Sequence, residues 1–182
     1  INRHHQLSPQ SLSHKVKTHN TMISEPLVVK PDHEYASYLM LDDDCAEMSD
    51  HNTGFHIQGM VLTEAARQMM LAVGEKYILD RSLKGQAYFA LRKVNTQFFH
   101  FAFPIEMKIV HQVLRKKVKG TTHLVNTKTD FIQNDQVIAQ VDIDYVATLS
   151  SRMSKRERDL ACGTLDLGKE SNLLETHVDM CA

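Results

Sequence analysis

The chain has 182 residues, enough for one domain with a full hydrophobic core, so it needs neither disulfides nor a structural metal for stability. Its formal net charge is -1 and its pI about 6.9, so no global field attracts nucleic acid or an anionic membrane. Glu64 and Arg67 interrupt the longest apolar run, which excludes the ~18 apolar residues of a membrane-spanning helix.

The cysteines and histidines favour a reducing compartment without a metal. Cys45, Cys162 and Cys181 are widely spaced and form neither a disulfide framework nor a C-x-x-C motif. The eleven histidines include no H-E-x-x-H pattern. The polar first twenty residues do not resemble a secretory signal. We therefore expect a cytoplasmic protein with no metal site.

The first half of the chain predicts two strands and one long helix. Residues 1–13 lack apolar periodicity and are expected to form a flexible N-terminal segment. Strands are predicted over residues 21–30, where Pro26 marks an edge or a bulge, and over residues 34–41. An acidic loop then leads into a helix that opens near Gly59 and should run to about Leu79. This helix is apolar on nearly every side, so it is expected inside the fold.

After the helix the hydrophobic pattern changes to period two, which is typical of strands. Strands are predicted over residues 86–99, 105–118, 122–133 and 136–149, the last two joined by a tight turn at Asn134-Asp135. One face of the last strand is apolar, with Val137, Ala139, Val141, Ile143 and Tyr145. A short charged helix is predicted over residues 152–162, followed by a flexible tail over residues 163–182.

A single helix flanked by strands, with no β-α alternation, predicts the α+β class and a sheet wrapped around the helix. This is the layout of a single hotdog fold, in which a curved antiparallel sheet of about six strands surrounds a long central helix. We place that domain at residues 14–162.

Polar side chains on the central helix are the main candidates for function. Glu64, Arg67, Gln68 and Leu71 are spaced i, i+3, i+4 and i+7, which places them on one side of the helix, with Met60 in the same sector. Desolvation would raise the pKa of the carboxyl group and the guanidinium would lower it. Such a group suits acid-base catalysis or the orientation of a substrate oxygen. The alternative is a structural intrahelical ion pair, with the amide hydrogen-bonded to a strand carbonyl.

Two histidines and two glycines precede or open the helix: His51, Gly54, His56 and Gly59. Glycines allow tight turns and a close approach of the backbone to a ligand, and helix N-termini attract polarised groups. A lone loop histidine is usually a surface residue, but two of them beside glycines and a buried glutamate strengthen the functional interpretation.

The run from His56 to Gln68, H-I-Q-G-M-V-L-T-E-A-A-R-Q, resembles the H-V-P-G-M-x-L-x-E-A-x-R-Q signature of the A-factor biosynthesis (AfsA-like) hotdog family. Ser13-His14-Lys15 resembles a second family feature at the entry to the first strand. A more distant likeness links Gly59 and Glu64 to hydroxyacyl-thioester dehydratases, which share their spacing. His51-Asn-Thr-Gly54 imitates the first half of that dehydratase pattern, one residue too close to Glu64.

The resemblance implies acyl-thioester chemistry: transfer of a β-ketoacyl group from a carrier thioester to the hydroxyl of dihydroxyacetone phosphate. It implies Glu64 as the acid-base or oxygen-orienting group, His56 as its partner and Arg67 as the group holding Glu64 or an anionic substrate, with His51 a weaker catalytic candidate. The implied substrate-binding residues are Gly59, whose N–H would face the thioester carbonyl, together with Met60, Gln68 and Leu71. No tightly bound cofactor is implied; the substrate would be an acyl-CoA or the phosphopantetheine thioester of an acyl carrier protein.

Three alternatives stay open: a dehydratase, a thioesterase, and a non-catalytic acyl-binding module. Two departures from the family also matter. Gln58 stands where the family usually has proline, and the chain has room for one repeat where the namesake enzymes have two. A single repeat implies a homodimer with the acyl channel at the subunit boundary.

Two further segments have two interpretations each. The basic run over residues 115–120 is either a solvated turn that protects a strand edge, or a docking patch for an acidic acyl carrier protein or a cofactor phosphate. The phenylalanines Phe98, Phe99, Phe101 and Phe103 belong either to the core or to an acyl channel.

Overall fold

The sheet contains six antiparallel strands. A computed structural model describes residues 5–46 and 54–170, with side chains described as far as residue 164. The strands are β1 (Leu27–Lys30), β2 (Glu34–Tyr38), β3 (Ala87–Phe98), β4 (Lys108–Lys119), β5 (Thr122–Gln133) and β6 (Gln136–Leu149). Their order across the sheet is β1-β2-β4-β5-β6-β3, so β3 crosses to the edge beside β6.

The central helix packs on this sheet through its apolar side chains. The helices are α1 (Gln10–Ser13), a 3₁₀ turn (Thr18–Asn20), α2 (Gly59–Val73), which continues as a π-helical turn (Gly74–Ile78), and α3 (Ser150–Glu170). Ten of the fifteen residues of α2 are buried, so the helix is held by packing on nearly all sides rather than by one amphipathic stripe. The predicted α+β hotdog architecture is confirmed.

Alternation along β5 and β6 sets which face packs on α2. In β5 every second residue is buried from end to end. In β6, Ala139, Val141, Ile143 and Tyr145 are buried as predicted, but Val137 is 38% exposed because the pairing register shifts beside it. Asn134 and Asp135 both have positive φ, the conformation that a two-residue hairpin turn requires. The predicted turn is thus confirmed.

The two ends of the chain differ from expectation. Residues 5–13 were expected to be flexible, but Ser8 N donates to Ile23 O at 3.0 Å, and α1 packs against α2. The first strand begins only after Pro26, because proline cannot donate to the ladder. The charged helix is longer than predicted and includes residues 163–170, part of the expected tail.

Two further observations concern the cysteines and the helix lengths. Cys45 is buried in the core, whereas Cys162 is disulfide-bonded, a bond that the wide spacing of the cysteines did not predict. Among the described residues, no helix combines the length and apolar character needed to cross a membrane.

Candidate functional site at the start of the central helix

The loop before α2 is fixed against the far end of β3. Ile57 N donates to Ala102 O at 2.8 Å, and the His56 ring lies 5.1 Å from the Phe101 ring. At Gly59, a Cβ atom would come within 2.5 Å of the Phe98 ring. Glycine at this position lets the Phe98 ring pack directly against the start of the helix.

Glu64 lies about 7.5 Å further along the helix axis than Gly59, given 1.5 Å per residue. Its carboxylate accepts hydrogen bonds from Arg67 Nε at 2.7 Å and Arg67 Nη2 at 2.8 Å, and from Gln68 Nε2 at 3.0 Å. Lys15 Nζ lies 2.8 Å from the same carboxylate. The intrahelical ion pair between Glu64 and Arg67, predicted as one alternative, is confirmed, and Lys15 is a second cation beside the same carboxylate. Only 16% of the Glu64 side chain is exposed.

The network determines the charge of Glu64. Burial alone would raise the pKa of its carboxyl group, but hydrogen bonds from Arg67 and Lys15, the attraction of the Arg67 charge and the Gln68 hydrogen bond together lower the pKa to about 2. Glu64 is therefore a carboxylate anion at neutral pH. It can accept a hydrogen bond and orient its donor, but it cannot supply a proton.

Gln68 joins the helix to the N-terminal segment. It is fully buried, donates to Asn20 O at 2.9 Å and accepts from Met22 N at 2.8 Å, in addition to its bond to Glu64. All three bonds use the amide group, so one side chain aligns α2 with the chain entering the first strands. Gln68 therefore lies beside Glu64, as predicted, and also holds the helix to residues 20–22.

The other predicted site residues are not all brought together. Met60, one turn before Glu64, is 66% exposed, whereas Leu71 is buried in the core. Gly54 has a positive φ of 70°, as expected for a tight turn. His51 lies outside the described residues.

Lys15 is the site residue that the sequence alone did not identify. It stands in the segment Ser13-His14-Lys15, which resembles a family feature, but nothing in its local pattern pairs it with a residue 49 positions later. The neighbouring His14 packs edge-on against Phe89 of β3 and lies 3.4 Å from Glu75, so the segment crosses the helix between Glu64 and the sheet edge.

An aromatic surface lies beside the start of α2. Phe98, Phe99, His100 and Phe101 line a cavity of about 420 Å³. The four phenylalanines of residues 98–103 are between 45% and 69% exposed, so a place in the core is wrong for them. Glu64 is not among the residues lining this cavity. His56 and Gly59 lie next to it, because His56 packs near Phe101 and Gly59 lies against Phe98.

The edge strand β3 continues this surface. In the described sheet β3 pairs with β6 on one side and forms the sheet edge on the other. Leu91, Val94 and Phe98 on β3 are 45%, 42% and 54% exposed. An open strand edge with large apolar side chains is the type of surface that proteins cover with another chain.

Comparison with known structures supports the fold. A thioesterase from Haemophilus influenzae superposes with a TM-score of 0.52 at 7% sequence identity, covering 73% of this chain and 82% of that one. A candidate thioesterase from Lactococcus lactis gives 0.50 at 14% identity, covering 70% and 93%. At these identities the likeness concerns the fold alone.

Comparison of sequences gives the family. No curated protein sequence matches the chain. The family described as the A-factor biosynthesis hotdog domain matches residues 1–149, which include α1, α2 and all six strands. That match spans most of the chain, and the chain therefore belongs to the A-factor biosynthesis hotdog domain family.

Proposed function

We propose that this protein binds an acyl thioester beside the start of α2 and transfers its acyl group to a hydroxyl acceptor. The observation that carries the proposal is the Glu64 carboxylate, held ionised and nearly immobile by Arg67, Lys15 and Gln68. A pre-oriented anion on the helix that begins beside the aromatic surface can align a hydroxyl for attack without having to reorganise. Family membership makes an acyl thioester, on CoA or an acyl carrier protein, the expected donor.

The acyl chain would lie on the aromatic surface. The cavity lined by Phe98, Phe99, His100 and Phe101 offers apolar contact for a chain, and the adjacent Met60 is flexible enough to fit several lengths. The thioester carbonyl would then point toward the first N–H groups of α2 near Gly59, which the helix itself leaves unbonded.

The transfer step needs no lasting protonation of Glu64. The acceptor hydroxyl would donate a hydrogen bond to the Glu64 carboxylate while its oxygen attacks the carbonyl carbon. The new C–O bond forms, the C–S bond breaks, and the hydroxyl proton ends on the departing sulfur, so an ester and a thiol result. His56, whose imidazole has one donor and one acceptor when neutral, is the proposed carrier of that proton.

The same observation weighs against a dehydratase. Dehydration needs an acid that gives a proton to the departing hydroxide. A carboxyl group with a pKa of about 2 is ionised almost completely at neutral pH, so Glu64 is a poor candidate for that acid. A thioesterase remains the second candidate, because a water molecule could take the place of the acceptor hydroxyl beside Glu64 and the fold matches a thioesterase. A non-catalytic acyl-binding module would show binding with no turnover.

A homodimer is part of the proposal. Pairing of two β3 edges would continue the sheet and cover Leu91 and Val94, and would enclose the open side of the acyl surface. Sedimentation at micromolar concentration checks it; a monomer would show that the acyl surface stays open.

The test of function is product analysis. The protein is incubated with a β-ketoacyl thioester, with and without a hydroxyl acceptor, and the products are identified by mass spectrometry. We expect an ester that requires the acceptor, lost by about 100-fold in Glu64→Gln, the magnitude typical for removal of an orienting group. Glu34→Gln, which removes a carboxylate from β2, is the matched control and should retain activity. Free acid in place of ester would establish the thioesterase, and an equally active Glu64→Gln would remove Glu64 from the reaction.

A further inference from the structure

A second cavity lies on the face of the sheet opposite α2. Its volume is about 390 Å³, and its lining includes Arg92 and Lys93 of β3 and Arg115 and Lys117 of β4. Lys116 lies between Arg115 and Lys117 and shows which face of the sheet packs on the helix. Its Nζ donates to Ile78 O, at the end of the helical region, at 2.8 Å. Because successive residues of a strand point to opposite faces, Arg115 and Lys117 point away from the helix.

The cations come from strands that are not neighbours. β5 and β6 lie between β4 and β3, which are therefore three strand spacings, or about 14 Å, apart. Both β3 and β4 have an irregularity at this level, between Leu91 and Lys93 in β3 and between Val113 and Arg115 in β4. Such bulges bend a strand and redirect its side chains. In β3 the bulge brings the consecutive residues Arg92 and Lys93 to the same cavity.

The charges at this cavity are unbalanced. Asp144 is the one carboxylate among the lining residues, and it already accepts a hydrogen bond from Asn126 Nδ2 at 2.5 Å. Within the described part of the chain, none of the four cations forms an ion pair or a side-chain hydrogen bond. Converging like charges repel one another, so the arrangement costs free energy that a bound anion would recover.

We propose that this cavity binds the phosphate groups of a small phosphorylated ligand. Two guanidinium groups offer paired N–H donors that match phosphate oxygens, and two ammonium groups add charge from both sides. The cavity is large enough for a diphosphate, and its positive charge comes from four side chains only, so it does not resemble the long basic stripe of a nucleic-acid surface. The phosphate belongs either to the nucleotide end of CoA or to a free phosphorylated metabolite.

The basic run of residues 115–120 therefore has two separate tasks. Lys116 binds the carbonyl end of the helical region, where a cation is favourable. Arg115 and Lys117 face the anion cavity. The proposal concerns binding alone and does not require acyl transfer, so it stands or falls independently of Glu64.

The test is isothermal titration calorimetry of the whole chain with inorganic diphosphate, CoA and dephospho-CoA at low ionic strength. Arg115→Gln/Lys117→Gln removes two of the four cations from β4, away from the β3 edge. Lys108→Gln/Lys119→Gln is the matched control: it removes the same charge from the same strand, at exposed positions outside the cavity. We expect at least tenfold weaker diphosphate binding in the first variant and less than twofold change in the control.

Each outcome decides the proposal. Equal weakening in both variants, or no binding of diphosphate and CoA to the unmodified chain, would overturn it. If CoA binds more tightly than diphosphate and loses affinity without its 3′-phosphate, the nucleotide end of CoA is the ligand; if diphosphate binds as well as CoA, a free phosphorylated metabolite is. The diphosphate titration involves no acyl group and no residue of the acyl-transfer site, so failure of the acyl-transfer proposal would leave this result intact.

Discussion

Arg67 binds both carboxylate oxygens of Glu64, with Nε donating to Oε2 at 2.7 Å and Nη2 donating to Oε1 at 2.8 Å. This two-point, charge-assisted contact fixes the plane of the carboxylate as well as its position. The third partner, Lys15, comes from a distant part of the chain, so the site is complete only when the N-terminal segment is folded onto α2.

The first prediction concerns acid stability. The pKa of Glu64 is lowered to about 2 in the folded protein, from an ordinary value of 4.5. Its contribution to the free energy of unfolding is therefore present above pH 4.5 and is lost as the pH falls toward 2. The shift corresponds to roughly 1–3 kcal/mol once solvent screening is considered.

Urea denaturation of the wild type and Glu64→Gln between pH 7 and pH 2 measures this contribution. The wild type should lose more stability than the variant over the interval from pH 4.5 to pH 2, because glutamine does not titrate. Parallel stability curves over that interval would contradict the network as described.

The second prediction concerns Gln68. Replacing it with alanine leaves the buried Met22 N–H and Asn20 carbonyl without their partner, at about 1–3 kcal/mol for each group. We expect Gln68→Ala to lower the free energy of unfolding by about 2–4 kcal/mol, measured by chemical denaturation. Gln97→Ala, which removes an exposed amide from β3, is the control and should change it by less than about 0.5 kcal/mol.

Hydrogen exchange should separate a local from a global effect of this change. Because Gln68 links α2 to residues 20–22, the amide of Met22 should lose protection in Gln68→Ala more than the amides in the middle of β5. Uniform loss of protection along the whole chain would show that Gln68 has no special link to that segment.

The strands and the helix were predictable because their signals are local. Period-two alternation predicted both ends of β5 and β6 correctly, and the apolar run predicted the position of α2. Burial of one face of a strand, or of nearly every side of a helix, produces a hydrophobic pattern in the local sequence. The side of α2 that carries Glu64, Arg67 and Gln68 followed from helical spacing, so three members of the site were predicted correctly as neighbours.

The remainder depended on contacts between distant residues. Lys15 and Asn20 reach Glu64 and Gln68 only through the folding of the N-terminal segment, whose polar sequence gave no sign of it. Arg115 and Lys117 were interpreted as part of a solvated turn, and Arg92 and Lys93 were not identified at all. The order of the strands, which brings β3 and β4 to the two sides of one cavity, cannot be read from the local sequence.

The third prediction compares two glycines of the helix. A Cβ on Gly59 would come within 2.5 Å of the end of the Phe98 ring, which is half exposed and can move away. A Cβ on Gly74 would come within 2.8 Å of Phe89, whose ring also packs against Tyr145 and His14 and has less freedom. Alanine otherwise favours a helix over glycine by about 0.5–1 kcal/mol.

We therefore expect Gly59→Ala to change the free energy of unfolding by less than about 1 kcal/mol, and Gly74→Ala to lower it by about 1–3 kcal/mol through overpacking. Chemical denaturation measures both. In a Phe98→Ala background, Gly59→Ala should become stabilising, because the ring that it displaces is gone. Absence of that coupling would show that Phe98 does not occupy the space beside Gly59.

The last prediction concerns His111, which is buried on β4 and takes no part in the proposed site. Its Nδ1 lies 2.8 Å from Thr129 Oγ1, and its Nε2 has no hydrogen-bond partner among the described residues. Burial lowers the pKa of His111 from 6.5 to about 3, since the charged ring would lose its hydration. Between those two pH values His111 binds a proton in the unfolded chain but not in the folded protein. The free energy of unfolding therefore falls as the pH falls from 6.5 toward 3.

His111→Asn keeps an amide near Thr129 but does not titrate. At pH 7 the variant should be less stable than the wild type, by about 1–3 kcal/mol, because part of the ring volume is lost from the core. The difference should shrink steadily as the pH falls below 6.5, because only the wild type loses stability through this residue. Thermal or urea denaturation at intervals of half a pH unit measures the trend, and a difference that stays constant from pH 7 to pH 4 would show that His111 is protonated in the folded protein as readily as in the unfolded chain.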